Sequence, residues 1–147
     1  MTRLAIVGNT SFRLETIEET LPAPNFTYQT LEALKSAHKN ADFHLILGED
    51  SLNDLPGWRE PRLVLDRAGL IVYPRPGAPT WNEALWWEKL GNPAKDTARL
   101  IWVKDAALVG IASRDLRKKV AAGESIRYLV PRAVEIYLKQ NDLYLPG

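Results

Sequence analysis

The sequence predicts an α/β protein built on a doubly wound parallel sheet. Three short apolar runs, Phe43 to Leu47, Gly69 to Tyr73 and Ala98 to Val103, read as buried strands. Helical segments alternate with them at the spacing that parallel crossovers need. A chain of 147 residues with 46% hydrophobic residues can bury a sizeable core, so one domain over residues 1–147 is expected.

Met1 to Val7 is apolar apart from Thr2 and Arg3 and stops at Gly8-Asn9. It reads either as a strand closed by a glycine turn or as the last two turns of a helix. Phe12 to Ile17 alternates in the manner of a strand. Leu21 to Asn25 carries two prolines and continues neither pattern, because each proline lacks an amide donor and restrains the residue before it. A helix opens at Phe26-Thr27 with Thr27 as N-cap, presents Leu31 and Leu34 as an apolar stripe, and runs to Ala37 or His38. Asn40-Ala41-Asp42 turns into the first buried strand, whose bulky residues suggest burial on both faces. Arg59 to Leu65 reads as a short helix or turn with its apolar residues toward the sheet. Pro74-Arg75-Pro76-Gly77 ends the second strand. Ala78 to Thr97, with Trp81, Trp86, Trp87, Pro79 and Pro93, reads as a surface insertion whose aromatics pack on the domain or on another copy. A base-stacking platform is the sharper alternative. After the third strand come Ile111 to Val120, Gly123 and a last helix from Pro131 to Gln140.

Composition removes several function classes. With 19 basic and 18 acidic residues the charges nearly cancel, so nothing implies nucleic acid or an acidic membrane as partner. The absence of cysteine excludes a thiolate nucleophile and cysteine-ligated zinc or iron–sulfur sites. Two histidines, His38 and His44, are too few for a histidine-rich metal site. No apolar run is long enough for a transmembrane helix and no signal peptide is visible, so the expected location is the cytoplasm.

The functional signal concentrates where the first buried strand ends. Gly48 can turn the backbone sharply and admit a close ligand. Glu49, Asp50 and Ser51 then stand at the carboxyl end of the strand, where open α/β sheets bind ligands, so Asp50 is placed to accept from a ribose or to contact a metal. The competing reading is that Asp50 or Ser51 caps the next short helix.

Several segments together resemble bacterial nicotinate-nucleotide adenylyltransferases, over nearly the whole chain. Phe26-Thr27-Tyr28-Gln29-Thr30-Leu31 resembles that family's Tyr-Thr-x-x-Thr-Leu helix start. Leu47-Gly48-Glu49-Asp50-Ser51-Leu52, with Trp58 eight residues beyond Asp50, resembles its Ile-Gly-x-Asp-x-Leu strand end. Arg75-Pro76-Gly77 matches an Arg-Pro-Gly, and Ile111 to Arg117 is a worn form of Ile-Ser-Ser-Thr-x-Ile-Arg. Gly123 to Pro131 keeps Gly-x-Ser-Ile-Arg-Tyr-Leu-Val-Pro, and Tyr144 stands in the usual Leu-Tyr ending. The resemblance implies a Rossmann-like sheet of the nucleotidyltransferase superfamily and transfer of AMP from ATP, with Mg²⁺, to nicotinate mononucleotide. It implies that Trp58 stacks on the pyridine ring while amides near Thr27 and Arg59, or the Arg59 guanidinium itself, hold the carboxylate. Asp50, beside Gly48, would hold a ribose, and Ser113 and Arg117 would bind ATP phosphates at a helix start.

The family's opening Gly-Gly-x-Phe-x-Pro-x-His-x-Gly-His motif has no counterpart in these residues. Met1 to Ile6 aligns instead with a helix that precedes the family's Glu and Tyr-Thr segment, so that Glu18 takes the place of that glutamate. The resemblance therefore implies an N-terminally truncated fold with no assignable catalytic residue, whose uncovered apolar surface would favour a homo-oligomer. A non-catalytic nucleotide-binding or assembly protein derived from the family is the alternative.

Overall fold

The structure, a computed structural model, describes residues 1–91, 99–105, 107, 108 and 110–145, and divides into two units: Thr16–Val109, and Met1–Glu15 together with Gly110–Gly147. The first is an α/β unit. Its parallel sheet has the order β1-β2-β3, formed by β1 (His44–Gly48), β2 (Gly69–Tyr73) and β3 (Leu100–Trp102). The parallel sheet is as expected; Ala98, the predicted start of the third strand, lies outside the described residues.

Register and the two-residue side-chain period assign the faces. Leu45, Leu70 and Leu100 stand abreast, as do Leu47, Val72 and Trp102, and these six share one face. Helices α3 (Glu49–Asp54), α4 (Pro61–Arg67) and α5 (Glu83–Lys89) supply the residues that close it: Leu52, Leu65, Trp86 and Trp87 join Leu47, Leu70 and Val72 in one core. Helix α2 (Thr27–Ala37) packs on α4 through Leu31, Val64 and Ala68, and Arg67 bonds Glu32 across the pair at 3.0 Å. On the opposite face Ile46, Ile71 and Ile101 form a row in which Ile46 is 71% and Ile101 48% exposed. The first strand is thus not buried on both faces, because among the described residues the α-helices of the unit put their apolar residues on the Leu47 side.

The aromatics of the tryptophan-rich stretch pack on the domain, as one expected reading had it, and two of them are part of its core. Trp86 and Trp87 are buried, Trp81 packs against Trp86 and Trp102 with centroids 6.0 and 5.3 Å away, and the Trp86 indole donates to the Leu52 carbonyl at 2.6 Å. Buried rings cannot stack on bases, which removes the base-stacking reading for these two. Pro93 and Thr97 lie outside the described residues.

At the amino ends of the strands Arg99 donates to both oxygens of Asp42, at 2.7 and 2.6 Å. This fork, ahead of β1 and β3, holds the Asp42 carboxyl below its usual range, chiefly by hydrogen bonding.

The second unit is helical. It consists of α1 (Thr2–Ala5), α6 (Ser113–Ala121) and α7 (Arg132–Gln140), packed around Ile126, Val134 and Leu138 with Leu4, Leu116 and Val120 against them. Met1 to Val7 therefore resolves as helix. Glu135 of α7 is buried yet paired with Lys139 at 2.9 Å and Arg132 at 2.6 Å, and these bonds hold its carboxyl below the usual glutamate range. The predicted strand at Phe12 to Ile17 does not form. Phe12 is 60% exposed, so the alternation there has no core to bury against, and a short 3-10 helix, Ile17–Thr20, follows. Among the described residues no helix is long and apolar enough to cross a membrane.

Candidate functional site

The start of α2 is built by a loop that hangs on Glu18. The Glu18 carbonyl accepts from Asn25 Nδ2 at 3.0 Å, and its carboxylate accepts from Thr30 Oγ1 at 2.7 Å. Phe26, not Thr27, is the N-cap residue: the Gln29 side chain accepts from the Phe26 N–H at 3.1 Å, and Thr27 occupies the first helical position. Thr27 has moved one place inward because glutamine three residues after Phe26 reaches back to close the end. The consequence is that the Thr27 amide belongs to the first helical turn, where backbone donors have no intrahelical acceptor.

Trp58 ends a 3-10 turn, Leu55–Gly57, with its own amide donating to the Leu55 carbonyl at 2.9 Å. Leu55 is fully buried and anchors the turn, so the half-buried Trp58 ring is carried on a fixed base. Arg59 follows, exposed, and pairs with no carboxylate among the described residues. Thr27, Trp58 and Arg59, with Asn25 and Phe26, line one open depression of about 290 Å³. Of these Asn25 and Phe26 were missed from sequence, although Phe26 stood in the quoted helix start. The depression has an aromatic wall, a free guanidinium and the open end of a helix, which together suit a flat ring carrying a negative charge.

Gly48 and Asp50 stand apart from that depression, at the carboxyl end of β1. Gly48 occupies the N-cap of α3 (Glu49–Asp54), so Asp50 and Ser51 lie within the helix and neither is its N-cap residue. Asp50 Oδ2 lies 3.3 Å from Arg75 Nη1, while Oδ1 is buried and finds no hydrogen-bond partner among the described residues. Arg75 was quoted in a motif but given no role; its position just after β2, beside Asp50 just after β1, was the available signal.

Ser113 and Arg117 belong to the helical unit. Ser113 is the first residue of α6 and Arg117 lies one turn on, its guanidinium carbon 6.0 Å from the centre of the Tyr144 ring. Both line a largely apolar cavity of about 190 Å³ with Leu116, Val120 and Tyr144.

A parallel sheet with acidic and basic side chains gathered beyond its strand ends has the form of a Rossmann-like α/β unit. No protein-family model matches the chain. It is 36% identical to a Salinibacter ruber protein named probable nicotinate-nucleotide adenylyltransferase, over 99% of this chain and 70% of that one. A Roseiflexus castenholzii protein of the same name is 42% identical over 98% of this chain and 69% of its own, and one from Thermomicrobium roseum 35% over 98% and 65%. The chain therefore spans about two thirds of the length of these relatives. Among solved structures it is similar to Plasmodium falciparum nicotinic acid mononucleotide adenylyltransferase complexed with APC and with NaAD. The TM-scores are 0.59 and 0.60 at 22% identity, over 82% of this chain and 58% and 57% of those. The chain belongs to the nicotinate-nucleotide adenylyltransferase family.

Proposed function

We propose that the chain serves adenylyl transfer from ATP to nicotinate mononucleotide, giving deamido-NAD and pyrophosphate, with the depression at Trp58 as its pyridine-nucleotide pocket. The observation that carries this reading is the convergence of Thr27, Trp58 and Arg59 on one depression. Trp58 stacks on the pyridine ring. The Thr27 amide and the Arg59 fork hold the carboxylate, since both favour a negative planar group. Asp50 accepts from a ribose hydroxyl, of the pyridine nucleotide or of ATP, and Gly48 lets the nucleotide approach the backbone. Ser113 and Arg117, at the opening of α6, take ATP phosphates.

In the transfer an oxygen of the nicotinate mononucleotide phosphate bonds to the α-phosphorus of ATP while the bond to the β-phosphate oxygen breaks, and pyrophosphate leaves. The protein's share is to hold the groups in line and neutralise the charge that develops. Mg²⁺ enters with ATP as part of the substrate. Among the described residues no three His, Asp or Glu side chains gather to hold a metal. The proposed location is the cytoplasm, where ATP is supplied. A near-neutral charge balance supports no role for nucleic acid.

The 147 residues contain no His-x-Gly-His, and His44 sits at the start of β1, away from the strand ends where Asp50 lies. One missing stabiliser of transition-state charge costs about 10²–10³ in rate. With ATP, Mg²⁺ and nicotinate mononucleotide, the purified chain is therefore expected to release pyrophosphate about a thousand-fold more slowly than the longer Salinibacter ruber relative assayed beside it. Release as fast as the relative's would overturn the need for that motif.

A further inference from the structure

We infer that Arg75 positions Asp50, pairing with its exposed carboxylate oxygen and fixing the rotation in which that oxygen also accepts from a ribose hydroxyl. This rests on the assignment of Asp50 as ribose acceptor made above. The placement follows from the sheet. Gly48 and Tyr73 are register partners at the ends of neighbouring parallel strands, so residues two beyond each, Asp50 and Arg75, leave the sheet side by side. Pro74 and Pro76 flank Arg75 and restrict the backbone that carries it. Arg75 Nη1 then lies 3.3 Å from Asp50 Oδ2.

The other oxygen shows how the carboxylate is seated. Asp50 Oδ1 is buried without a partner, and buried acceptors are normally satisfied. A Cβ at position 48 would collide with this oxygen and touch Arg75 Cδ at 3.7 Å, so Gly48 is the residue that lets the carboxylate fold back over the strand end. With Oδ1 seated over Gly48 and Oδ2 held by Arg75, the carboxylate's rotation is fixed, and Oδ2 is the oxygen left within reach of a ligand. Both side chains of the pair are 41% exposed, and a pair so exposed adds little to stability, so binding and folding effects separate.

The test is a double-mutant cycle on nicotinate mononucleotide affinity, read by calorimetry on the full chain with thermal unfolding as the folding control. R75M and D50A are each expected to weaken binding about ten-fold, the loss of one charge-assisted contact. The double variant is expected to be no weaker than either single one, and R75K, which keeps the charge, to recover to within about three-fold of wild type. Additive losses would mean that Arg75 meets the ligand itself and would overturn the inference. So would an unchanged affinity in R75M with a loss in D50A. If D50A binds as well as wild type, the ribose role of Asp50 fails instead.

Discussion

Replacing Trp58 by alanine is expected to weaken nicotinate mononucleotide binding by about ten- to hundred-fold, because stacking of a base on an aromatic ring is worth about 1–3 kcal/mol by alanine substitution. The ring is half-buried and belongs to the wall of the depression, so truncation removes the surface on which the pyridine would lie. The fold should tolerate the change, since Leu55 and Leu52 beneath the turn are both fully buried and remain in place. Trp58→Phe is expected to recover most of the affinity. Equilibrium dialysis with labelled ligand measures the loss without using the indole as its own reporter. An alanine variant that binds as well as wild type would mean the pyridine ring sits elsewhere.

The second large effect concerns the sheet. Leu70→Ala is expected to destabilise the chain by about 3–5 kcal/mol, measured by urea unfolding, the upper range for a buried leucine. Leu70 is fully buried in the central strand, abreast of Leu45 and Leu100, and packs in the core that also contains Trp86 and Trp87. Three strands contribute to the wall around it, so the space left cannot close by moving a single element. Against a typical stability of about 5–15 kcal/mol, a loss of that size takes a large share. Ile71→Ala, one residue along but on the half-exposed row with Ile46 and Ile101, should cost far less.

The contrast between Leu70 and Ile71 also shows what sequence pattern could and could not convey. Gly69–Tyr73 is a strand of the predicted extent because glycine and proline bound a β-branched apolar run, and α7 ends at Gln140 as its periodicity implies. What the run could not convey is that only one face is covered by the helices of its unit. Leu, Ile and Val read alike whether a helix lies above them or not, so Ile46 looked as buried as Leu47. Phe12 to Ile17 failed for the converse reason: the alternation is present, but no partner strand pairs with it among the described residues. Ala78 to Thr97 reads as a surface insertion with its aromatics packed on the domain or on another copy; Trp86 and Trp87 do pack on the domain, but as part of its core, with the Trp86 indole bonded to the Leu52 carbonyl and both rings set among leucines.

The site divides in the same way. Asp50 was legible from its place after Gly48 at the strand end, and Trp58 only through the family resemblance. The partner of Asp50 was not legible, because Arg75 is twenty-five residues away in sequence and meets it only through the β1–β2 register. Thr27 was legible as a position, but the role of N-cap fell to Phe26, since Gln29 can cap from within the helix whatever residue stands at its start.

If the depression at Trp58 is a pyridine-nucleotide pocket, nuclear magnetic resonance on the isotope-labelled chain will register the ligand there. Titration with nicotinate mononucleotide is predicted to give saturable shifts concentrated at the Trp58 indole N–H and at the amides of Thr27 and Arg59. Shifts confined to the helical unit around Arg117 and Tyr144, or none at millimolar ligand, would contradict it.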